Sequence, residues 1–350
     1  MENKDKAPTE EERPQIPLEE LIEIRRRKAA ELRQEGLNPY PYRFLKTHSI
    51  SETLKNFETF AAQETVVRLA GRMMLKRRMG KAIFADIRDQ SARIQVYLKI
   101  NNVGEVPFER FDRLDLGDII GVQGKLFTTR TGEKTVMVES YEILAKSLHP
   151  LPDKHAGLVD KEIRYRRRYV DLIVNPEVRE TFVKRSRIIR SIRDFLNNEG
   201  FLEVETPILQ PLYGGASARP FITHHNTLDI DLYLRIADEL YLKRLIVGGF
   251  EKVWMDRLHN PEFSMIELYW AYADYHDIME LFQRLLRQAV FDLHGKYKIT
   301  YEGKELDFEP PFKAISMIDA IEEATGIDLL PLDYEQAKAR ARESGINIPD

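Results

Sequence analysis

The sequence of 350 residues lacks cysteine, and it also lacks any long uninterrupted apolar stretch. Without cysteine there are no disulfide bonds, thiolate zinc sites or cysteine nucleophile, and this composition fits a reducing cytoplasm. A membrane-spanning helix needs about 20 consecutive apolar residues, which are not present. Residues 1–14 are charged and have no apolar core, so they do not have the composition of a signal peptide.

A strong excess of one charge is missing as well. The 53 basic and 57 acidic side chains give a formal net charge of −4. The chain therefore has no overall attraction for nucleic acid, and any RNA binding must come from local basic clusters.

The composition that is present, 43% hydrophobic and 31% charged residues, is typical of a soluble globular protein with more than one domain. The patterns described below indicate an α+β chain. We predict a disordered tail, an N-terminal helical segment, a domain of β-strands, a linker and an α+β domain, at 1–16, 17–64, 65–148, 149–175 and 176–350.

The first helical pattern runs from Leu18 to Glu35 and ends before Gly36, a favourable stop. Its polar face carries four consecutive basic residues, 25–28. These side chains could form a solvated surface, or they could contact an RNA backbone. A second basic run at 161–169 could contact RNA or lie in a subunit interface.

The pattern between 66 and 148 changes to alternating strands bounded by turn residues. Strands are predicted at 66–72, 81–88, 93–98, 119–127 and 134–144. A short helical segment, Phe108–Leu114, falls between the third and fourth strands. Five strands with a helix after the third have the order of an OB-fold barrel, which binds single-stranded nucleic acid on its second and third strands.

Several barrel residues have the chemistry for RNA. Phe84, on the second strand, alternates with Ile83 and Ala85 and could stack on a base, although it could also be an ordinary barrel residue. Gln95, on the third strand, could read a base edge. Phosphate charge could be balanced by arginines on the first strand and its turn: Arg68, Arg72, Arg77 and Arg78.

The segment Phe195–Pro207 has the order helix, glycine, strand, proline. It resembles motif 1 of the class II aminoacyl-tRNA synthetases, which forms a homodimer interface in that family, here at about 195–211. More specific are the runs at 214–221, 223–229, 233–244 and 259–274, which resemble the bacterial-type lysyl-tRNA synthetases. The resemblance extends from about residue 17 to Asp350.

This resemblance implies an aminoacyl-tRNA ligase with an N-terminal OB-fold and a class II catalytic domain. Such an enzyme uses ATP and Mg²⁺ to convert lysine to lysyl-adenylate and transfers the lysyl group to tRNA(Lys). It implies lysine-binding residues Gly215, Glu239, Glu267 and Tyr269. It further implies ATP-binding residues His259, Asn260 and Phe263. With the barrel as the anticodon-binding domain, the barrel residues chosen above for their chemistry become the candidate anticodon-binding residues: Arg68, Arg77, Phe84 and Gln95.

The chemistry of a lysine pocket agrees with the implied residues. A desolvated ammonium group needs carboxylates and acceptor oxygens around it. Glu267 and Tyr269 are two positions apart, so on a strand they face the same side. Two ordinary interpretations stay open: Glu267 as a surface strand residue, and Glu239 as a carboxylate favoured at a helix N-terminus.

The sequence departs from the family in two places. Motif 2 should be strand, loop, strand, but only Met255–Leu258 separate Trp254 from His259. The motif 2 arginine that binds the α-phosphate has no counterpart, so no catalytic residue is assigned and Arg257, predicted in a tight turn, is the remaining candidate.

The second departure is that the family's metal-binding glutamates and motif 3 arginine belong to a segment after Asp350. No metal ligand is therefore assigned among these residues. We expect a catalytic domain of truncated type, with lysine-dependent ATP–pyrophosphate exchange absent. The alternative is a non-catalytic protein that binds tRNA through its barrel.

Overall fold

The computed structural model describes residues 16–152, 158–259, 262–309 and 311–346, and over 255–259 and 262–264 it describes the backbone alone. The chain divides into two compact units, Met1–Pro176 and Glu177–Asp350. Among the described residues, no helix combines the length and apolar character needed to cross a membrane.

The first unit contains short helices around a set of long strands. Its elements are α1 (Leu18–Gln34), α2 (Ile50–Lys55), α3 (Phe57–Ala62), β1 (Val67–Met79), β2 (Ala82–Arg88), β3 (Arg93–Lys99), α4 (Ile100–Val103), α5 (Glu105–Asp112), β4 (Ile119–Thr128), β5 (Lys134–Ala145), α6 (Lys161–Arg166) and α7 (Arg168–Val174). The last two helices fall in the segment predicted as a linker.

The five strands form a closed barrel in the order β1-β2-β3-β5-β4. The β3–β5 pair is parallel and the other pairs are antiparallel. This arrangement confirms the predicted OB-fold. The helical segment between β3 and β4 begins at Ile100, earlier than predicted, because Lys99 already leads into a first short turn of helix.

The alternation that predicted β2 is the one observed. Ile83, Ala85 and Ile87 are buried in the barrel, whereas Phe84 is partly exposed on the outside. Phe108 and Phe111 of α5 are fully buried and join the same apolar cluster. A single continuous core therefore fills the barrel and the helix packed against it, and its burial is the main source of stability for this unit.

The second unit mixes helices with short strands. Its elements are α8 (Pro176–Asn198), β6 (Leu202–Glu203), β7 (Leu209–Gln210), β8 (Ile222–His225), β9 (Ile230–Leu234), α9 (Glu239–Val247), β10 (Lys252–His259), β11 (Glu262–Trp270), α10 (Tyr275–His294), β12 (Lys298–Tyr301), β13 (Lys304–Asp307), α11 (Met317–Thr325) and α12 (Tyr334–Glu343).

The strands of this unit form sheets in the orders β11-β10-β6, β7-β9-β8 and β12-β13. Helix α10 begins and ends where its sequence dictates. Asp274 and Asp277 form a capping box at its start, and Gly295 ends it in the left-handed conformation at φ 66°. Its buried Leu281 packs with Leu196 and Trp254, which ties α8, β10 and α10 together.

The connection between Trp254 and His259 was predicted incorrectly. Residues 255–258 are strand positions of β10 and do not form the turn. β10 pairs with β11 in an antiparallel hairpin in which Arg257 lies opposite Met265 and His259 opposite Glu262. The apolar start of the strand, Val253 and Trp254, is anchored in two buried clusters, and the strand continues from there to His259.

Candidate functional site

The four residues implied to bind lysine come together where β9 leads into α9 and β11 runs beside it. Glu239 is the first residue of α9, and Gly215 lies against it with φ +85°. A Cβ at position 215 would be 2.9 Å from the Cβ of Glu239 and 3.1 Å from that of Ala237. Position 215 therefore needs glycine both for its backbone conformation and for its close approach to Glu239.

Glu267 is the most unusual carboxylate of this group. Its Oε1 accepts a hydrogen bond from the backbone N–H of Asp238 at 3.4 Å. Its Oε2 is shielded from solvent and has no hydrogen-bond partner within the described part of the chain. Burial raises the pKa of Glu267, the charges of Asp238 and Glu239 raise it further, and the Asp238 N–H and Arg235 oppose this rise.

Tyr269 lies on the same face of β11 as Glu267, because the two residues are two positions apart on the strand. In the hairpin register, Tyr269 lies opposite Val253 and Glu267 lies opposite Met255. Burial, together with the charges of Glu239 and Glu267, raises the pKa of the Tyr269 phenol to about 12. The hydroxyl therefore stays neutral at pH 7 and can both donate and accept a hydrogen bond.

Glu239 has a partner that a substrate would have to share. The ammonium of Lys243, one turn further along α9, forms an ion pair with Glu239 and lies 5.9 Å from the centre of the Tyr269 ring. A cation is thus already held at the mouth of this acidic site. The arrangement of Glu239, Glu267 and Tyr269 is suited to binding positively charged groups.

Three buried residues behind the site were missed by sequence reasoning: Thr206, Arg235 and Asp238. Asp238 accepts from the Thr206 hydroxyl at 2.8 Å and pairs with Arg235 at 2.9 Å. The only available signal was an aspartate directly before a helix, and that pattern predicts an ordinary N-cap. Asp238 makes no such cap.

The residues implied to bind ATP are described only in part. His259 and Phe263 are strand positions on β10 and β11, with the backbone alone described, and Asn260 lies outside the described residues. Position 257 falls on the same face of the hairpin as Glu267 and Tyr269, since it alternates with Met255 and Val253. Arg257 is therefore on the strand and not in a turn.

No group of three or more histidine, aspartate or glutamate side chains suited to a metal occurs in the described ranges.

The barrel carries an aromatic row on its outer surface. Phe84 lies directly opposite Tyr97 in the β2–β3 register, with ring centres 4.6 Å apart. Tyr97 is in turn 5.8 Å from the ring centre of Phe127. These three partly exposed rings, on β2, β3 and β4, form a surface on which flat bases can stack.

Arg77 is the cation best placed at this surface. It lies opposite Phe84 in the β1–β2 register, is exposed, and has no ion-pair partner among the described residues. Gln95 lies on the same face, and its carbonyl accepts from the Thr135 hydroxyl at 3.0 Å. With its carbonyl engaged by Thr135, the Gln95 side chain has its amide NH₂ as the other polar group.

The other arginines named for phosphate contacts are already engaged. Arg68 pairs with Glu142 at 3.2 Å and lies over the Phe44 ring, at the end of β1 that pairs with β4. Arg72 donates to the carbonyl of Gly117 at 2.7 Å. Arg78 is held by Glu109 at 2.8 Å and by a second carboxylate on α5. The structure therefore does not bring Arg68 to the Phe84 face.

The two basic runs are largely engaged as well. In α1, Arg25 is buried and donates to the carbonyls of Ser147 and His149, and Lys28 pairs with Asp115 at 2.7 Å. In α6 and α7, Arg164 and Arg168 both contact the buried Asp171. These contacts favour a structural role for much of each run over a free RNA-binding surface.

Comparison with known proteins places both units. Residues 160–344 match the family described as tRNA synthetases class II (D, K and N). Residues 67–144 match the OB-fold nucleic acid binding domain. These matches correspond to the second unit with the helices that precede it, and to the closed barrel.

Curated relatives extend this match over almost the whole chain. The chain is 53% identical to the lysine–tRNA ligase of Carboxydothermus hydrogenoformans, covering 95% of this chain and 70% of the relative. It is 53% identical to that of Pelotomaculum thermopropionicum, covering 95% and 67%. It is 50% identical to that of Clostridium perfringens strain ATCC 13124, covering 95% and 68%.

The first of these alignments spans 344 positions, whereas 95% of 350 residues is about 332. About a dozen aligned positions of the relative therefore have no residue in this chain. Even so, the identity is far above what a shared fold alone requires, and it covers barrel and second unit alike. The chain belongs to the class II tRNA synthetases and, among them, to the lysine–tRNA ligase family.

Proposed function

We propose that this protein acts in the attachment of lysine to tRNA(Lys), by ATP-dependent formation of lysyl-adenylate and transfer of the lysyl group. The observation that carries the lysine assignment is the half-satisfied carboxylate of Glu267, whose Oε2 has no partner among the described residues. A buried acceptor of this kind is stabilised by a cationic ligand.

In this proposal Glu267 and Tyr269 bind the ε-ammonium of lysine, and Glu239 with the backbone of Gly215 binds its α-ammonium. Glu239 is already paired with Lys243, so the incoming α-ammonium exchanges one cation partner for another. Such an exchange keeps Glu239 compensated throughout, and no isolated charge is left when the site is empty.

We propose further that the anticodon binds the outer barrel face, with Phe84, Tyr97 and Phe127 stacking on bases. Gln95 then reads a base edge through its amide NH₂, and Arg77 contacts phosphate. Arg68 is a weaker part of this proposal than Arg77, because Glu142 already neutralises it.

The remaining family properties are proposals of the same kind. They are a cytoplasmic location, ATP as substrate with Mg²⁺, nucleotide contacts from His259, Asn260 and Phe263, and a homodimer formed through about 195–211. Exposed apolar side chains at Leu202, Ile208 and Leu209 support a partner surface within that last range.

The short β10–β11 hairpin limits the ATP step in this proposal. The antiparallel register pairs His259 with Glu262, and only two residues of the sequence separate these positions. Loss of one donor that stabilises a developing charge lowers a rate constant by about 10²–10³-fold. We expect lysine to bind while its activation is slow.

The test compares this chain with the Carboxydothermus hydrogenoformans relative in two measurements. Calorimetry with L-lysine, L-arginine and L-leucine should give saturable binding for lysine alone. Lysine-dependent ATP–pyrophosphate exchange should stay at background, at least about 10²–10³-fold below the relative's rate. Absence of lysine binding would refute the proposed function, whereas exchange at the relative's rate would refute only the role given to the hairpin.

A further inference from the structure

The segment 235–239, which joins β9 to α9 and includes the first residue of α9, bears directly on the candidate lysine site. Glu239 is a proposed ligand of the α-ammonium, and the backbone N–H of Asp238 holds Oε1 of Glu267 at 3.4 Å. Ala237 and Glu239 form the wall against which Gly215 packs. A shift of this short segment would move both carboxylates at once.

A buried polar cluster fixes this segment from behind, and we name Thr206, Arg235 and Asp238 the clamp. Arg235 donates to the Thr206 carbonyl at 2.8 Å and also contacts the Thr206 hydroxyl and the Asp238 carboxylate. The Thr206 hydroxyl donates to Asp238 Oδ1 at 2.8 Å. The side chains of Arg235 and Asp238 are only 5% and 2% exposed.

The position of Asp238 makes the clamp unusual. It immediately precedes α9, where an aspartate normally accepts hydrogen bonds from the first free N–H groups of the helix. Asp238 makes no side-chain capping bond, and its φ and ψ of −99° and −6° are helical in character. Its carboxylate bonds within the clamp instead, so α9 forgoes the stabilisation of a side-chain cap.

Burying an ion pair is also a poor way to gain stability. Replacing such a pair by apolar side chains is often neutral or stabilising, because desolvation of both charges offsets their attraction. The clamp therefore brings neither a helix cap nor a clear gain in folding free energy. What it does bring is a fixed place for the Asp238 N–H and for the start of α9.

We propose that Thr206, Arg235 and Asp238 are positioning residues of the lysine site, which hold the segment 235–239 so that Glu267 and Glu239 face the substrate's two ammonium groups. The identity of the substrate in this inference rests on the proposed function, whereas the positioning of the two carboxylates by the clamp does not. The clamp acts on Glu267 whether or not lysine is bound.

The test uses a matched pair at Thr206, Thr206→Val and Thr206→Ser. Valine has nearly the same shape but no hydroxyl, whereas serine keeps the hydroxyl. Thr206→Ala removes the hydroxyl without adding bulk at the buried position, and it replaces the valine variant should that one fail to fold. Unfolding midpoints followed by tryptophan fluorescence identify the variants that remain folded, since Trp254 and Trp270 both lie in the second unit.

The first readout needs no ligand. The carboxyl carbon of Glu267 is titrated by ¹³C NMR and assigned with Glu267→Gln. Loss of the hydroxyl should loosen the Asp238 N–H contact that lowers the pKa of Glu267, so the titration midpoint should rise in the valine or alanine variant and stay near wild type in the serine variant. The groups facing Glu267 that must be included in the analysis are Arg235, Asp238, Glu239 and Tyr269.

The second readout is the affinity for L-lysine, expected to fall roughly tenfold in the valine or alanine variant and to be kept in the serine variant. A Glu267 midpoint that does not move in any folded variant without the hydroxyl overturns the proposal. If the midpoint moves as expected but the wild-type chain binds no lysine, the clamp stands and the proposed function fails.

Discussion

Two carboxylate sites, one in each unit of this chain, differ in how completely their charges are partnered. In the barrel unit, Lys146 is 1% exposed and contacts Asp118 at 2.8 Å, and Asp115 as well. Asp118 also accepts from the backbone N–H groups of Asp115 and Ser147 at 2.8 Å. In the second unit, Oε2 of Glu267 has no hydrogen-bond partner among the described residues.

The pKa directions follow this difference. Burial raises the pKa of Asp115, but hydrogen bonds and charges from Lys146 and Lys28 outweigh it, so its pKa lies below 3.8. For Glu267, the rise in pKa caused by burial is not outweighed by the Asp238 N–H and Arg235, and its pKa lies above 4.5. A buried charge whose partners are complete serves the fold, whereas one whose partners are incomplete is available to a ligand.

The largest expected effect is on the completed cluster. Lys146→Met keeps most of the length of the side chain but leaves Asp115 and Asp118 without their main counter-ion. Breaking a buried ion pair from one side destabilises a protein by about 3–5 kcal/mol. Urea unfolding combined with hydrogen exchange of barrel amides should show this loss, chiefly in the first unit.

Two controls make that result specific. Lys125→Met removes the cation of an exposed pair with Glu64 and should leave the unfolding midpoint nearly unchanged. The pH dependence is the second control. Because the pKa of Asp115 is lowered by folding, its contribution is present above about pH 3.8 and is lost as pH falls through the lower folded value. A Lys146→Met protein as stable as wild type would contradict the role of the Lys146 cluster in stabilising the first unit.

The next largest effect is expected at Glu267, whose replacement should lower lysine affinity but raise the stability of the unliganded protein. Glu267→Gln should weaken lysine binding about thirtyfold or more, from about 2 kcal/mol or more lost with the carboxylate. The same change should raise the stability of the unliganded protein at pH 7, because an incompletely paired buried charge is removed. Calorimetric titration with L-lysine and a thermal melt of one sample measure both quantities.

The pH dependence of wild type sharpens this prediction. Since folding raises the pKa of Glu267, stability from this group is full below about pH 4.5 and declines as pH rises through the folded value. Lysine affinity should run the other way and increase over the same interval, as the carboxylate becomes charged. Parallel rather than opposed trends in the two measurements would show that Glu267 does not contact the ammonium group.

The contrast also explains which features were accessible from the sequence. The barrel was predicted nearly strand for strand because its core positions alternate strictly, as Ile83, Ala85 and Ile87 do against Phe84. Both ends of helix α10 follow from equally local signals, because Asp274 caps it and Gly295 terminates it. Local rules of this kind depend only on neighbours in the chain.

The parts that were missed depend on residues far apart in sequence. Arg78 looked like a free cation until α5 supplied Glu109, and Arg25 looked exposed on its helix until the carbonyls of Ser147 and His149 covered it. Asp238 looked like an ordinary cap until Thr206 was brought to it from 32 positions away. The four lysine-site residues themselves came from resemblance, and their juxtaposition came from the fold.

The smallest expected effect separates two adjacent arginines that the sequence could not tell apart. Arg77 is exposed opposite Phe84 and has no ion-pair partner among the described residues, whereas Arg78 is held by Glu109 and Asp112. Arg77→Gln should weaken binding of a lysine-accepting anticodon arm and reduce the salt dependence, the slope of log affinity against log salt, by about 0.7 for one phosphate lost.

Arg78→Gln, the matched control, should leave that slope unchanged and act instead on thermal stability, because its charge is already compensated within the barrel unit. Fluorescence anisotropy over a series of salt concentrations measures the slope for both variants. Equal slopes for Arg77→Gln and wild type would remove Arg77 from the RNA surface, and a reduced slope for Arg78→Gln would mean that the α5 carboxylates release it when RNA binds.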